Sequence, residues 1–396
     1  MRRLASPAPV LLLVALLAAG CASGPAPDPR AVQPPAPVES RTPAGAGAAA
    51  PVPVRPAPPP PPQSLLQRLL PPTLKSDRGG WSSDILAAFS ALRLAPSAEN
   101  LCASIAVIEQ ESGFQADPVV PGLSRMVRAE IEARRQRFHV PPMVVEAALA
   151  RRSADGRSFG ARIDALRTER QLSELYEEII AAVPAGRLLL SDYNPVRTGG
   201  PMQVSIAYAE LHARQTPYRG PGRTIREAVF TRRGGVHFGI AHLLDYPAPY
   251  RAPIHRFADF NAGHYAARNA AFQQAVTRLS GHALVPDGDL LRYRNGVPDA
   301  APGATQRALH ALAPRLRLAP ARIDAELRQE KEAGFARTAV YQRVYALADA
   351  AAGRRVAREA MPQITLKSPK IQRKLTTAWF ADRVNRRYHG CLRRAR

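Results

Sequence analysis

The chain is short of acids, cysteines and metal-ligand patterns. Its 396 residues carry 32 Asp and Glu against 55 Lys and Arg, a formal net charge of +23. That imbalance directs attention to anionic partners. Nucleic acid is the first anion to consider, yet no nucleic-acid-binding module is present, and none is expected as a partner. The nine histidines are scattered, with no zincin spacing and none beside a cysteine pair, so no metal is expected. There is no Walker loop, dinucleotide fingerprint or serine-nucleophile elbow, and no cofactor is expected. The three cysteines are an odd number. What is present, 46% hydrophobic residues, suits a soluble folded protein of one large or two smaller domains.

The N-terminus reads as an address. Met1-Arg2-Arg3 is basic, and the apolar run Val10 to Ala19 is too short to span a bilayer, so residues 1–20 read as a signal peptide. Leu17-Ala18-Ala19-Gly20-Cys21 resembles a bacterial lipobox, although Ala18 stands where Leu is usual. The resemblance implies lipidation of Cys21, with an acyl chain such as palmitate. Ala22 replaces the Asp of an inner-membrane retention signal. The expected location is therefore the outer membrane, lipid-anchored and facing the periplasm. The alternative is a plain signal peptide with an accidental cysteine. Residues 21–73 are rich in Pro and Ala and read as an extended tether. About 50 residues at roughly 3.1 Å each reach ~150 Å, far enough for a cell-wall layer. If Cys21 is lipidated, Cys102 and Cys391 are an even pair in an oxidising compartment. A disulfide between them would add about 4–5 kcal/mol in the chain-entropy picture. Two buried thiols are the alternative.

Pro96 to Pro118 is the stretch around which the rest is arranged. Ser97 is an N-cap. Leu101, Ile105 and Ile108 make one apolar stripe, Glu111 borders it, and Glu109 should face water. Gly113 ends the helix. The product is one carboxylate at a helix end, half in an apolar wall. Desolvation raises a carboxyl pKa, and glycosidic cleavage needs a Glu that holds its proton. A rim glutamate at an ordinary helix terminus is the bland reading.

Leu94 to Phe114 resembles the opening of the lytic transglycosylase domain, a goose-lysozyme-like fold that cleaves glycan. There a helix ends in Glu-Ser-x-Phe, matched here by Glu111, Ser112, Gly113 and Phe114. The resemblance implies that Glu111 is the catalytic acid and base, with Ser112 lining the site. Gly199-Gly200-Pro201-Met202-Gln203 resembles the family's Gly-Leu-Met-Gln block. It implies Met202 beneath a sugar ring and Gln203 bonded to its hydroxyls or N-acetyl group. Pro201 replaces Leu, and Ser205 stands where an apolar residue is usual. A glycine-led helix start with Met202 in the core is the alternative. Thr231 to Tyr246 resembles the scaffold helix that follows. Phe260-Asn261-Ala262-Gly263 resembles Tyr-Asn-Ala-Gly, with Phe260 and Asn261 in the cleft. Phe260 lacks the family's hydroxyl, which Tyr265 or Tyr208 would have to replace. Asn261 reads equally as a helix cap.

The implied fold is mainly α, a lysozyme-like domain over 74–290. A helical insertion at about 119–195 separates Glu111 from the second block, and a basic helical C-terminal extension, 291–396, packs on the same domain. Asp287-Gly288-Asp289 reads as a turn. From Arg354 onward thirteen Lys and Arg face two acids, with Leu375, Trp379 and Phe380 among them. This is either a solvated face or a patch for anionic envelope polymers. The expected partner is the peptidoglycan glycan strand, cut between N-acetylmuramic acid and N-acetylglucosamine with a 1,6-anhydro product. A true muramidase would need a second carboxylate, for which Asp117 and Asp192 are the candidates. A non-catalytic glycan-binding or envelope-bridging lipoprotein is the competing class.

Overall fold

The computed structural model describes residues 62–294, 296–366 and 375–395, and the chain is mainly α-helical. The signal peptide, Cys21 and most of the expected tether lie outside the described residues. Helices α1 (Pro62–Leu69), α2 (Arg78–Ala91) and α3 (Ala98–Glu111) come first. Helix α3 is the axis of the larger core. Leu101 through Ile108 are all buried, so the helix is enclosed on every side rather than along one stripe. The Ser97 hydroxyl caps it, accepting from the Asn100 amide at 3.3 Å.

The tether ends earlier than residue 73. Leu66, Leu69 and Leu70 have almost no exposed surface, and α1 packs against α2 and α3. The Pro and Ala background conceals the short amphipathic run Gln63–Leu70. Arg78 reinforces the junction by donating to the carbonyls of Gln67, Pro71 and Leu74 at 2.8, 2.8 and 3.1 Å.

The insertion is helical, as its periodicity predicts. It comprises α4 (Leu123–Arg137), α5 (Pro142–Ala150), α6 (Phe159–Asp164), α7 (Glu169–Ala181) and α8 (Gly186–Leu190). Its buried residues are continuous with the core around α3. A two-residue antiparallel hairpin follows, β1 (Thr198–Gly199) with β2 (Val204–Ser205). Then come α9 (Ile206–Gln215), α10 (Ile225–Val229), α11 (Arg232–Leu244), α12 (Pro253–Ala262) and α13 (Ala266–Ser280).

From α13 onward a second core forms. It joins Phe272, Val276 and Leu279 to α14 (Ala304–Ala311), α15 (Ala313–Leu316), α16 (Pro320–Leu327) and α17 (Ala339–Ala352). The last helix, α18 (Thr377–Arg393), does not join it. Phe380, Ala381, Val384, Tyr388 and Cys391 return to the first core, where α18 packs on α3 and α12. The expected single extension over 291–396 therefore divides, because the apolar face of α18 covers α3. For the same reason Glu109 does not face water. It is half-buried, with Arg387 Nε at 3.7 Å. Cys102 and Cys391 form a disulfide with a Cα separation of 5.5 Å, across 289 residues of chain. Arg394 Nε and Nη2 donate to the Leu69 carbonyl at 3.0 and 2.7 Å, so the first and last described helices meet at this end of α3.

The second core holds a buried polar network. The Glu330 carboxylate accepts from the Leu290 amide and the Tyr293 hydroxyl, while Arg268 and Asn269 donate to the Glu330 carbonyl. Gln273 Nε2 donates to Asp287 Oδ1 at 2.8 Å, and its Oε1 accepts from the Gly288 amide at 2.8 Å. The Asp287-Gly288-Asp289 segment is thus a structural turn, and no metal-binding cluster exists among the described residues.

Two outcomes follow from this architecture. Thiol counting on denatured residues 62–396 should find none without reductant and two with it. Replacing both cysteines by Ser should cost about 2–5 kcal/mol in a denaturant titration. The second outcome concerns Glu330, whose carboxyl burial pushes up to about 8 from 4.5. Between those values the folded chain keeps a proton that the unfolded chain loses, so this group's contribution falls as pH rises through the window. The stability of the parent relative to Glu330→Gln should decline from pH 5 to 8.5; a constant difference would show that burial does not govern this carboxyl.

Candidate functional site

The antiparallel contact of α3 and α18 places the site. Cys102 meets Cys391, Glu109 meets Arg387, and Gln110 Oε1 accepts from Arg383 Nε at 3.3 Å. At about 1.5 Å per residue, Glu111 falls roughly level with Asp382, about half a turn from Phe380. Glu111 is half-buried and is the last residue of α3. The chain then turns sharply, because Gly113 and Phe114 both take left-handed conformations, φ 58° and 64°. Such a conformation is unfavourable for Phe and persists where packing imposes it. Here the Phe114 ring stands edge-on to Trp81 at 5.1 Å, and Arg232 lies 5.4 Å over the same indole. Ser112 is buried and its hydroxyl donates to the Ile108 carbonyl at 3.1 Å. Its hydroxyl closes the helix end.

The glycine-rich block forms the hairpin tip. A Cβ at Gly200 would overlap the Val229 carbonyl, and one at Gly199 would overlap the Phe230 ring. Both glycines allow the hairpin to lie directly on the α10–α11 junction. Met202 has no exposed surface and fills the space that Gly239 of α11 leaves open. It is therefore a core residue with no surface to offer a ligand. Gln203 is half-buried with φ 49°, accepts from Thr198 Oγ1 at 3.3 Å and donates to the Gly200 carbonyl at 3.4 Å. Ser205, polar where the family is apolar, caps α9 by accepting from the Tyr208 amide at 3.3 Å.

Phe260 and Asn261 end α12 beside the start of α18. The Phe260 ring lies 5.1 Å from His242 and 6.4 Å from Phe380, nearly parallel to the latter. Asn261 Oδ1 accepts from the Thr377 hydroxyl at 2.8 Å, so Asn261 joins two helices rather than capping one. The proposed substitute hydroxyls are engaged or enclosed. Tyr265 donates to the Pro247 carbonyl at 3.3 Å. Tyr208 is buried, its ring 4.6 Å from His242, and burial raises its pKa well above the usual value. His242 lies 3.2 Å from the Phe260 carbonyl, and burial lowers its pKa to about 4, so it is a neutral donor at pH 7. Behind Phe260, the buried Asp259 accepts from Tyr246 and Tyr250 and from the amides of Tyr265 and Ala267, at 2.6–3.1 Å. Burial raises its carboxyl to about 6 against those donors.

Of the two further acids, Asp117 accepts from the Thr168 hydroxyl at 3.0 Å, and burial raises its pKa. Asp192 is exposed on a short 3-10 turn. Phe260 and Asn261 meet the start of α18, and α18 packs along α3, which Glu111 ends. Of the α18 residues here, Trp379 and Arg383 belong to the basic run that the sequence reads as a solvated face or an anion patch, and Thr377 is the one it does not assign. A signal existed: pairing Cys102 with Cys391 sets the register of the two helices at a known rise per residue.

Comparison with known proteins gives the family. A family model described as a protein of unknown function, DUF1615, matches residues 74–394. The chain belongs to the DUF1615 family. It is also 48% identical over 330 residues to the uncharacterized protein YaiW of Escherichia coli (strain K12), covering 83% of this chain and 89% of that protein. No solved structure matches it. In this DUF1615 chain, Gln203 carries a direct test. Gln203→Gly should stabilise the fold by about 1 kcal/mol, since glycine accepts a positive φ freely. If the side chain contacts ligand, the same variant should lose ligand binding, and denaturant titration beside a binding assay separates the two effects.

Proposed function

We propose that this chain is a lysozyme-like lytic transglycosylase that acts on peptidoglycan. The observation that carries the reading is the position of Glu111. It is a half-buried carboxyl that ends an otherwise enclosed helix, and α18, which packs along that helix, also meets the Phe260–Asn261 end of α12. Glu111 protonates the bridging oxygen as the β-1,4 bond between N-acetylmuramic acid and N-acetylglucosamine breaks. Ionised, it takes the proton of the muramic acid 6-hydroxyl. That oxygen then bonds to the anomeric carbon and closes a 1,6-anhydro ring. No water is consumed and one carboxyl serves both steps, so the paired carboxylates of glycoside hydrolysis are not required. Gln203 binds the sugar's polar groups, and Met202 stays in the core. Lipidation at Cys21 would hold the enzyme at the outer membrane, facing the periplasm.

A specific observation favours a second reading, in which the cleft holds glycan without cutting it. Phe260 has no hydroxyl, and that of Tyr265 is bonded to the Pro247 carbonyl. The deciding experiment is digestion of purified sacculi by residues 62–396 beside Glu111→Gln, with products identified by mass spectrometry. Anhydro-muropeptides from the parent are expected, reduced on the order of 100–10,000-fold by the variant. Reducing-end products would mean a muramidase and would point to Asp117 as the second carboxyl. Glycan binding with no product would leave the holding function.

A further inference from the structure

The basic patch of α18 is not uniform. Arg387 is held against Glu109 and Arg386 is exposed. Arg383 differs from both. It is half-buried, its guanidinium lies 5.0 Å over the Trp379 ring, and its Nε donates to Gln110 Oε1. Among the described residues no carboxylate lies within ion-pair distance of it. A ring and a neutral amide fix this cation in place without neutralising it, and among the described residues neither of its terminal amino groups has a hydrogen-bond partner.

We propose that Arg383 is an anion subsite at the rim of the cleft, and that it takes a carboxylate carried by the glycan strand. The inference rests on the peptidoglycan reading above and names what that site recognises beyond the sugar rings. A guanidinium matches a carboxylate through two parallel hydrogen bonds, which an ammonium does not reproduce. Because Trp379 and Gln110 already restrict the side chain, less rotamer entropy is lost on binding. Gln110 directly precedes Glu111, so the bound anion lies close to the candidate acid. The sugar that fits is the one bearing a carboxylate-containing substituent next to the scissile bond, N-acetylmuramic acid with its lactyl group and stem peptide.

The test uses residues 62–396 in the Glu111→Gln background, so that ligand is bound without being cut. Two probes are titrated calorimetrically: an N-acetylglucosamine tetramer, which has no carboxylate, and a purified tetrasaccharide bearing stem peptides. Arg383→Gln should weaken the peptide-bearing probe about tenfold or more and reduce its salt dependence. Its affinity for the neutral tetramer should stay unchanged. Arg383→Lys should restore only part of the loss, and Arg386→Gln should alter neither affinity. Equal losses for both probes, or no loss for either, would overturn the subsite and leave the glycan reading standing. Failure of the Glu111→Gln protein to bind either probe would overturn both.

Discussion

The contact between α3 and α18 is the constraint on which the rest of the molecule depends. A helix buried on every side from Leu101 to Ile108 needs a neighbour on each face, and the final helix supplies the last one. The Cys102–Cys391 bond holds that contact at one end, and Gln110 with Arg383 holds it at the other. Both termini of the described chain converge where Arg394 donates to Leu69. The far end of α3, where Glu111 sits, is consequently assembled from segments separated by most of the sequence. Such non-local closure costs chain entropy before it is rewarded, and the disulfide offsets part of that cost covalently.

Around that axis, several residues with the look of site residues turn out to serve the scaffold. Ser112 closes a helix end, Met202 fills the space above Gly239, and Asn261 joins α12 to α18. Each is polar or flexible enough to have contacted a ligand, and each is held by a protein partner instead. Among the candidate groups that keep some exposed surface are Glu111, Gln203, Trp379 and Arg383. Beside Phe260 lies a polar interior of imidazoles and tyrosines. His242 there bonds to the Phe260 carbonyl, and Asp259 gathers four donors that fix the turn into α13. Burial keeps His242 uncharged at neutral pH, so the interior beside Phe260 adds hydrogen-bonding direction without charge.

Much of this was legible in local patterns. The Ser97 cap, the break at Gly113, the helical insertion and the even cysteine pair follow from turn chemistry, periodicity and counting, which act over a few residues. The docking of α1 was hidden, because four leucines in Gln63–Leu70 sit at the edge of a Pro and Ala background that dominates any composition window. The single apolar stripe assigned to α3 was too narrow, since Ala103, Ser104 and Ala106 are small enough to be buried without looking hydrophobic.

By itself the amino-acid sequence determined the helical class, the helix ends and the placement of a carboxyl at the last position of α3. These are set by backbone hydrogen bonding and side-chain period within one element. Only the tertiary structure decided which faces became interior, that α18 rather than solvent covers Glu109, and that Arg383 stands beside Gln110. Those outcomes depend on which distant apolar surfaces find each other. No local pattern contains that information, apart from two cysteines whose bond brings the ends of the fold together.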